Sequence, residues 1–195
     1  MRICVYCASG QHIEEKYLRL AAEVGTELAR RGHTLVSGGG SISCMGAVAR
    51  AARAGGARTV GVIPQALMDL EVGDREADEL IVTPDMRSRK AEMDRRSDAF
   101  LVLPGGIGTL EELFEIWTAR VLGMHGRPIA LLDPYGLFDP LRELMNRLYE
   151  ERFVRPGTFD AVTWTGSLTE AFDRLERGAR RPLIPTPEEI LESEP

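Results

Sequence analysis

Short apolar segments alternate along the chain with segments whose apolar residues recur at helical spacing. The apolar runs are continuous, which is typical of strands buried on both faces of a sheet. These predicted strands cover residues 3–7, 33–36, 59–63, 80–83, 99–103, 129–133 and 161–164. The predicted helices cover residues 14–31, 45–54, 85–97, 109–123, 137–151 and 167–177. This alternation predicts an α/β protein with a three-layer, doubly wound, Rossmann-like fold and a mainly parallel sheet of about seven strands.

Small residues follow three of the predicted strands. These loops are residues 7–10 (CASG), 38–40 (GGG) and 105–108 (GGIG). In doubly wound sheets, ligands bind at the carboxyl ends of the strands, where the strand order reverses. We therefore expect the three loops to meet in one crevice, with Ser9, Gly39 and Gly40 among the residues that bind a substrate.

The composition restricts the class of protein. A chain of 195 residues is expected to form one domain, which we place at residues 1–179, and the proline-rich, acidic stretch 180–195 is predicted to be a flexible tail. The formal net charge of −6 argues against non-specific nucleic-acid binding, which needs a basic surface. We see no signal peptide and no apolar run long enough to cross a bilayer, so we expect a cytoplasmic protein without membrane contact.

The cysteines do not indicate a disulfide framework or a metal site. The chain has three of them, and Cys4 and Cys7 form a C-x-x-C pattern inside the first predicted strand. Residues three apart on a strand point to opposite faces, so these two thiols are not expected to act together. The histidines are scattered, and we therefore predict neither a metal nor a cofactor.

The most informative stretch is residues 104–112, PGGIGTLEE, between a predicted strand and a predicted helix. Glycines at such a junction let the backbone approach an anion, and a helix N-terminus presents free N–H groups to it. Glu112 follows directly, so a carboxylate would lie within reach of a bound phosphate compound. An alternative is a simple capping box, in which Thr109 begins the helix and Glu112 caps it. The run of small residues before Thr109 favours a binding function.

A second candidate is the predicted helix over residues 86–93. At helical spacing, Met86, Arg89, Lys90 and Met93 share one face. The alternative is a solvated basic helix, because further arginines follow. Two methionines beside a basic pair favour a surface that binds a flat base and a charged or hydroxylated group.

Together these motifs resemble the Lonely Guy (LOG) family of cytokinin-activating phosphoribohydrolases. The family pattern R-K-x-x-M corresponds to residues 89–93, and P-G-G-x-G-T-x-x-E corresponds to residues 104–112. A G-G-G-x-x-x-x-M-G loop at residues 38–46 and a V-I-P strand end at residues 62–64 also match. The resemblance covers roughly residues 1–177. Two departures are Ile107, where many relatives have Tyr, and Ser43-Cys44, where Gly-Leu is usual.

The resemblance implies hydrolysis of the N-glycosidic bond of an N6-modified adenosine 5′-monophosphate, with Arg89 and Glu112 as catalytic residues. It also implies a homodimer and a small-molecule substrate. The expected substrate contacts, from the motifs and the resemblance together, are Glu71, Met86, Lys90, Gly105, Gly106, Ile107, Gly108, Thr109, Leu110, Glu111 and Thr118.

Two other functions remain open at this point. One is a general AMP nucleosidase in nucleotide salvage. The other is a non-catalytic carrier of a nucleotide or molybdenum cofactor, because carrier proteins of that cofactor have a related P-G-G-x-G-T fold. Lysine decarboxylation is disfavoured, since that chemistry needs a pyridoxal phosphate Schiff-base lysine in a dedicated site, and Lys16 and Lys90 are the only lysines.

Overall fold

A computed structural model describes residues 1–70, 73–155 and 157–180. The strands in these ranges are β1 Arg2–Tyr6, β2 Thr34–Ser37, β3 Thr59–Pro64, β4 Glu79–Thr83, β5 Ala99–Val102, β6 Ile129–Leu132 and β7 Thr163–Thr165. The helices are α1 Glu15–Arg30, α2 Ser43–Ala54, α3 Gln65–Met68, α4 Met86–Arg95, α5 Ile107–Val121, α6 Asp139–Glu150 and α7 Leu168–Arg180, with a short 3-10 helix at Phe159–Ala161.

The seven strands form one parallel sheet in the order β4-β3-β2-β1-β5-β6-β7. The strand order reverses at β1, which pairs with β2 on one side and β5 on the other. In the register between β1 and β5, Tyr6 lies opposite Val102, so both strands end at the same edge of the sheet. The loops that follow these strands are therefore brought together at the switch point, as the sequence predicted.

Two apolar cores cover the two faces of the sheet. On β1, Ile3 and Val5 pack with α1, α2 and α7 on one face, while Cys4 and Tyr6 pack with α4, α5 and α6 on the other. This alternation follows from the strand geometry, in which successive side chains point to opposite faces. Cys4 and Cys7 consequently lie in different cores, and all three cysteines are buried free thiols.

A glycine in α1 permits close packing of the first two helices. A Cβ atom at Gly25 would lie 2.3 Å from the carbonyl oxygen of Val48 in α2. Any larger residue would push α1 and α2 apart, and the loop between β2 and α2 would move with them. The packing of these helices therefore helps to fix that loop at the edge of the sheet.

Element boundaries differ from the prediction by a few residues at several places. The helix expected from residue 109 begins at Ile107, with Gly106 as its N-cap and no side-chain cap. The capping-box interpretation is therefore wrong, because Thr109 already lies inside the helix. Helix α3 is not among the predicted helices, and α7 extends to Arg180 instead of ending at residue 177. No described helix has the length and apolar character needed to cross a membrane.

Candidate functional site

A cavity of about 860 Å³ lies at the carboxyl ends of β1, β2, β3 and β5. The loop after β1 contributes residues 7–10, the loop after β2 contributes Gly38 and Gly40, and the loop after β5 contributes residues 104–109. The three small-residue loops of the sequence thus line one crevice at the switch point. This is where a doubly wound sheet binds its ligands.

Most of the predicted site residues line this cavity. They are Ser9, Gly40, Met86, Arg89, Gly105, Gly106, Ile107, Gly108, Thr109, Glu111 and Glu112. Four others are described but lie elsewhere: Gly39, Lys90, Leu110 and Thr118. Glu71 lies outside the described residues, as do residues 181–195 of the predicted tail.

A buried ion pair forms the floor of the cavity. Arg89 Nη1 donates to Glu112 Oε1 at 3.0 Å, and the two side chains are only 7% and 10% exposed. Arg89 Nε also donates to the carbonyl oxygen of Val62 at 3.1 Å, which anchors the guanidinium to β3. Helix α4 begins at the N-cap Asp85, whose Oδ1 accepts from the backbone N–H of Ser88 at 2.8 Å. This cap fixes the start of the helix one turn before Arg89.

The guanidinium of Arg89 occupies the space that a side chain at Gly38 would fill. A Cβ atom on Gly38 would lie 1.8 Å from Arg89 Nη2. Sequence reasoning selected the glycine loop but chose Gly39 and Gly40 as the binding residues. Gly39 instead packs on β3, where a Cβ would lie 3.1 Å from the backbone nitrogen of Val62. The presence of three successive glycines was the available signal, and it does not distinguish one position from the next.

The carboxyl group of Glu112 is in an unusual environment. Burial raises its pKa above the ordinary value, because an apolar surrounding disfavours the charged form. The Arg89 guanidinium opposes that rise, and the carboxylate of Glu111 adds to it. A carboxyl group with a raised pKa inside a cavity is a typical candidate for acid–base chemistry.

The N-terminus of α5 faces the same cavity. Its N-cap is Gly106, which has no side chain to accept hydrogen bonds from the first turn. The first N–H groups of a helix have no partners within the helix, so here they are available to an external acceptor. Gly105 packs tightly over Thr109, where a Cβ would lie 2.2 Å from Oγ1, so this turn requires glycine. The result is an N-terminus suited to a phosphate group.

Apolar side chains form the remaining walls of the cavity. They come from the segment before and into α1, from the start of α2 and the loop before it, from the region of β3 and α3, from α4, and from the loop before α6. These residues are Ile13, Tyr17, Ile42, Met45, Ile63, Leu67, Leu70, Met93 and Leu137. Apart from Met93, sequence reasoning did not select them, because apolar residues in short loops carry no distinctive pattern. The cavity is therefore charged at its floor and apolar along its sides.

Three of the predicted substrate contacts that do not line the cavity lie on α4 or α5. Lys90 lies on α4, and its Nζ pairs with two residues of α5, Glu111 and, at 2.9 Å, Glu115. Leu110 packs against the core beneath α5, and Thr118 is exposed on that helix. Within residues 1–70, 73–155 and 157–180, no group of three or more His, Cys, Asp or Glu side chains is arranged to hold a metal ion.

The fold and this site define a Rossmann-like α/β protein in which a glycine-rich helix N-terminus lies beside a buried Arg–Glu pair. Residues 45–175 match the family model described as "possible lysine decarboxylase". The cytokinin riboside 5′-monophosphate phosphoribohydrolase of Mycobacterium tuberculosis is 52% identical over 170 residues, which are 87% of this chain and 90% of the relative. The enzyme of the same name from Mycobacterium marinum is 46% identical, with 90% and 94% covered. The chain therefore belongs to the Lonely Guy family of phosphoribohydrolases.

Solved structures agree with the fold. The molybdenum cofactor binding protein from Rippkaea orientalis superposes with a TM-score of 0.69, covering 90% of this chain and 95% of that one. Its sequence identity is 21%, so this likeness concerns the architecture alone.

Proposed function

We propose that this chain hydrolyses the N-glycosidic bond of cytokinin riboside 5′-monophosphates, which are N6-modified adenosine 5′-monophosphates. The products are the free base and ribose 5-phosphate. The observation that carries the proposal is the buried pair of Arg89 and Glu112 beside the open N-terminus of α5. Membership of the phosphoribohydrolase family supports the same reaction.

The 5′-phosphate binds at residues 105–109. The free N–H groups of the first turn of α5 donate hydrogen bonds to the phosphate oxygens, and the positive end of the helix dipole favours the negative charge of the phosphate. Glycines in this loop let the backbone approach the phosphate oxygens closely. Binding of the phosphate fixes the ribose over the floor of the cavity, and this binding energy serves the reaction at C1′.

Glu112 acts at the reacting carbon. As the bond between C1′ and the base breaks, the bonding electrons leave with the base and positive charge develops on the sugar. The Glu112 carboxylate stabilises this charge and takes a proton from the water that attacks C1′. That proton ends on the departing base, so the atoms balance as base plus ribose 5-phosphate. Arg89 stays charged at neutral pH and orients Glu112 and the ribose by hydrogen bonds.

The apolar walls of the cavity are suited to bind an apolar substituent on N6 of the base. Tyr17, Ile42, Leu67, Leu70 and Leu137 line the same cavity as the ion pair. An isopentenyl group buried against such side chains gains free energy from the loss of apolar surface to water. A plain AMP nucleosidase needs no such wall, so the proposal favours the modified nucleotide.

The direct test is release of the base, measured by chromatography, from purified protein given isopentenyl-AMP, AMP and isopentenyladenosine separately. We expect base and ribose 5-phosphate from isopentenyl-AMP, a lower kcat/KM for AMP, and little release from the nucleoside, which lacks the phosphate. Equal kcat/KM for both nucleotides would indicate a general AMP nucleosidase. Nucleotide binding without any release would indicate a carrier and contradict the proposal.

We further propose that the protein acts as a homodimer in the cytoplasm, with its catalytic domain in residues 1–179. Support for the dimer comes from α5, where Ile107 is 87% exposed and Phe114 is 38% exposed on one face of the helix. Exposed apolar side chains that share a face are typical of contact surfaces.

Phe114→Glu should convert the protein to a monomer in sedimentation velocity, whereas the control Phe153→Glu, at another exposed phenylalanine, should not. A monomeric wild type would contradict the dimer.

A further inference from the structure

Lys90 makes a second set of ion pairs across the contact between α4 and α5. Its Nζ pairs with the carboxylates of Glu111 and Glu115, which are one turn apart on α5. The lysine side chain is only 14% exposed, while the two glutamates are about half exposed, at 52% and 54%. Two of the three donors of the ammonium group are thus used within the protein.

These pairs run parallel to the pair in the cavity. Lys90 follows Arg89 on α4, and Glu111 precedes Glu112 on α5, so neighbouring residues join the same two helices twice. Arg89 and Glu112 face the cavity, whereas Lys90 is not among the described residues that line it. A substrate in the cavity would therefore meet Arg89, whereas the ammonium group of Lys90 is held by its two glutamate partners.

The position of Lys90 affects the charge around Glu112. Glu111 raises the pKa of the Glu112 carboxyl, and Lys90 lowers it. Among the described residues, Arg89 from α4 and, from β1, the buried side chains Cys4, Tyr6 and Cys7 also interact electrostatically with Glu112. Burial raises the pKa values of both thiols and of the phenol, so these three groups are neutral at neutral pH. Lys90 is thus a second cation, after Arg89, that opposes the effect of Glu111 on this pKa.

We propose that Lys90 is a positioning residue for the hydrolysis: through its ion pairs with Glu111 and Glu115 it holds α5 against α4, and thereby keeps the carboxyl group of Glu112 in place beside Arg89. This role differs from the direct substrate contact that the family resemblance implies for Lys90. It rests on the proposed function, because the ionised Glu112 is the group that acts on the substrate there.

The test compares the pH dependence of kcat in wild type, Lys90→Met, Lys90→Arg and the double variant Lys90→Met with Glu111→Gln. The proposed reaction needs Glu112 as a carboxylate, so kcat should fall as the pH is lowered through the pKa of Glu112. We call this falling part of the pH profile the acid limb. In Lys90→Met this acid limb should move to higher pH by about half a unit, which is about a threefold loss of rate on that limb. Lys90→Arg keeps the cation and should keep the limb in place. The double variant removes the opposing carboxylate as well and should move the limb back.

The KM for the nucleotide distinguishes a positioning role of Lys90 from a direct contact between Lys90 and the substrate. The positioning role predicts a KM for the nucleotide within about twofold of wild type in Lys90→Met, whereas loss of a phosphate or ribose contact raises KM about tenfold or more. The matched control is Arg95→Met on the same helix, which removes a cation that pairs with Glu92 away from the cavity and should leave the limb unchanged. A raised KM with an unmoved acid limb would overturn the proposal. The proposal would also be overturned if Lys90→Met lowered the melting temperature but changed neither KM nor the acid limb.

If Lys90→Met fails to fold, a variant of its ion-pair partner Glu111 can be measured in its place. Glu111→Gln alone removes the neighbouring negative charge, so the acid limb should move to lower pH, and an unmoved limb would overturn the proposal. If wild type hydrolyses no nucleotide, the proposed function fails by itself. The pKa of Glu112, followed by carbon NMR of labelled glutamate in wild type, Lys90→Met and Glu111→Gln, then decides the role of Lys90 independently of turnover.

Discussion

The contact between Gly38 and Arg89 shows how a missing side chain can shape a site. A Cβ atom added at residue 38 would lie only 1.8 Å from Arg89 Nη2, so the two atoms could not both occupy these positions. The guanidinium has no free path to move aside, because its Nε is bonded to Val62 and its Nη1 to Glu112. The glycine is therefore needed for the arginine and not for backbone flexibility.

Gly38→Ala should displace the guanidinium and lower kcat/KM by between about tenfold and a hundredfold, since small misplacements of reacting groups are costly. The measurement is steady-state hydrolysis of isopentenyl-AMP together with the melting temperature. Gly166→Ala is the control, because its Cβ would meet its nearest atom at an ordinary 3.4 Å and lies away from the site. Wild-type kinetics in Gly38→Ala would contradict the geometry.

The raised pKa of Glu112 links activity and stability to pH with opposite signs. The folded state holds the proton more tightly than the unfolded state, so the stability from this group is present at low pH and is lost as pH rises through the folded pKa. Activity needs the carboxylate and rises over the same range. Glu112→Gln has no such ionisation, and its melting temperature relative to wild type should increase from acidic to neutral pH. A constant difference across that range would contradict the raised pKa.

At the residue scale, the sequence selected charged residues that line the cavity but did not select most of the apolar residues in its walls. Arg89 and Glu112 could be selected because an arginine on a Met-flanked helix and an acid after a glycine loop are unusual. Ile42 and Leu137 could not, because a single apolar residue in a loop has the same local pattern whether it lines a cavity or packs in a core. Ser43 was noted only as a departure; it has a φ of 53°, a backbone conformation that favours glycine, and its hydroxyl donates to the carbonyl of Gly10 at 2.5 Å.

At the scale of elements, α5 connects the site to the far side of the molecule. Its first turn faces the cavity, and its buried face carries Trp117, which is 2% exposed and whose Nε1 donates to the carbonyl oxygen of Thr158 at 2.9 Å. This bond ties the helix to the segment before β7. A second tryptophan, Trp164, packs edge-on against Trp117, but its Nε1 meets no acceptor among the described residues.

The two tryptophans form a matched pair for a stability test. Trp117→Phe removes the hydrogen bond and leaves the buried carbonyl of Thr158 without that donor, so it should cost about 2 kcal/mol in the free energy of unfolding. Trp164→Phe removes a donor that has no acceptor there and should cost clearly less. Chemical denaturation of both variants measures the difference. An equal or larger loss in Trp164→Phe would contradict the assigned bond.

The start of α5 also shows where element prediction fails. Thr109 and Glu112 satisfy the capping-box pattern, yet the helix begins at Ile107 after a glycine N-cap. A glycine cap leaves no side-chain signature, so the sequence favoured the later start. The short helix α3 was missed for a related reason: four residues are too few for periodicity to separate a helix from a turn.

At the scale of the whole molecule, the alternation of strands and helices was sufficient to predict a seven-stranded parallel α/β sheet. The strand order was not derivable from periodicity, because each buried strand has the same continuous apolar pattern. The convergence of three glycine-rich or small-residue loops was still predictable, since parallel strands place their carboxyl ends at one edge. The cavity follows from topology, and its chemistry follows from the few polar residues at that edge.

The central claim is that Glu112, paired with Arg89, performs the hydrolysis. The most direct test is Glu112→Gln, which keeps the size of the side chain and an oxygen to accept from Arg89 but removes the carboxylate. Turnover of isopentenyl-AMP should fall by about a hundredfold or more, because a group acting on the transition state is lost. The dissociation constant for AMP should stay within about threefold, since the phosphate loop is unchanged. Turnover close to wild type in this variant would contradict the account.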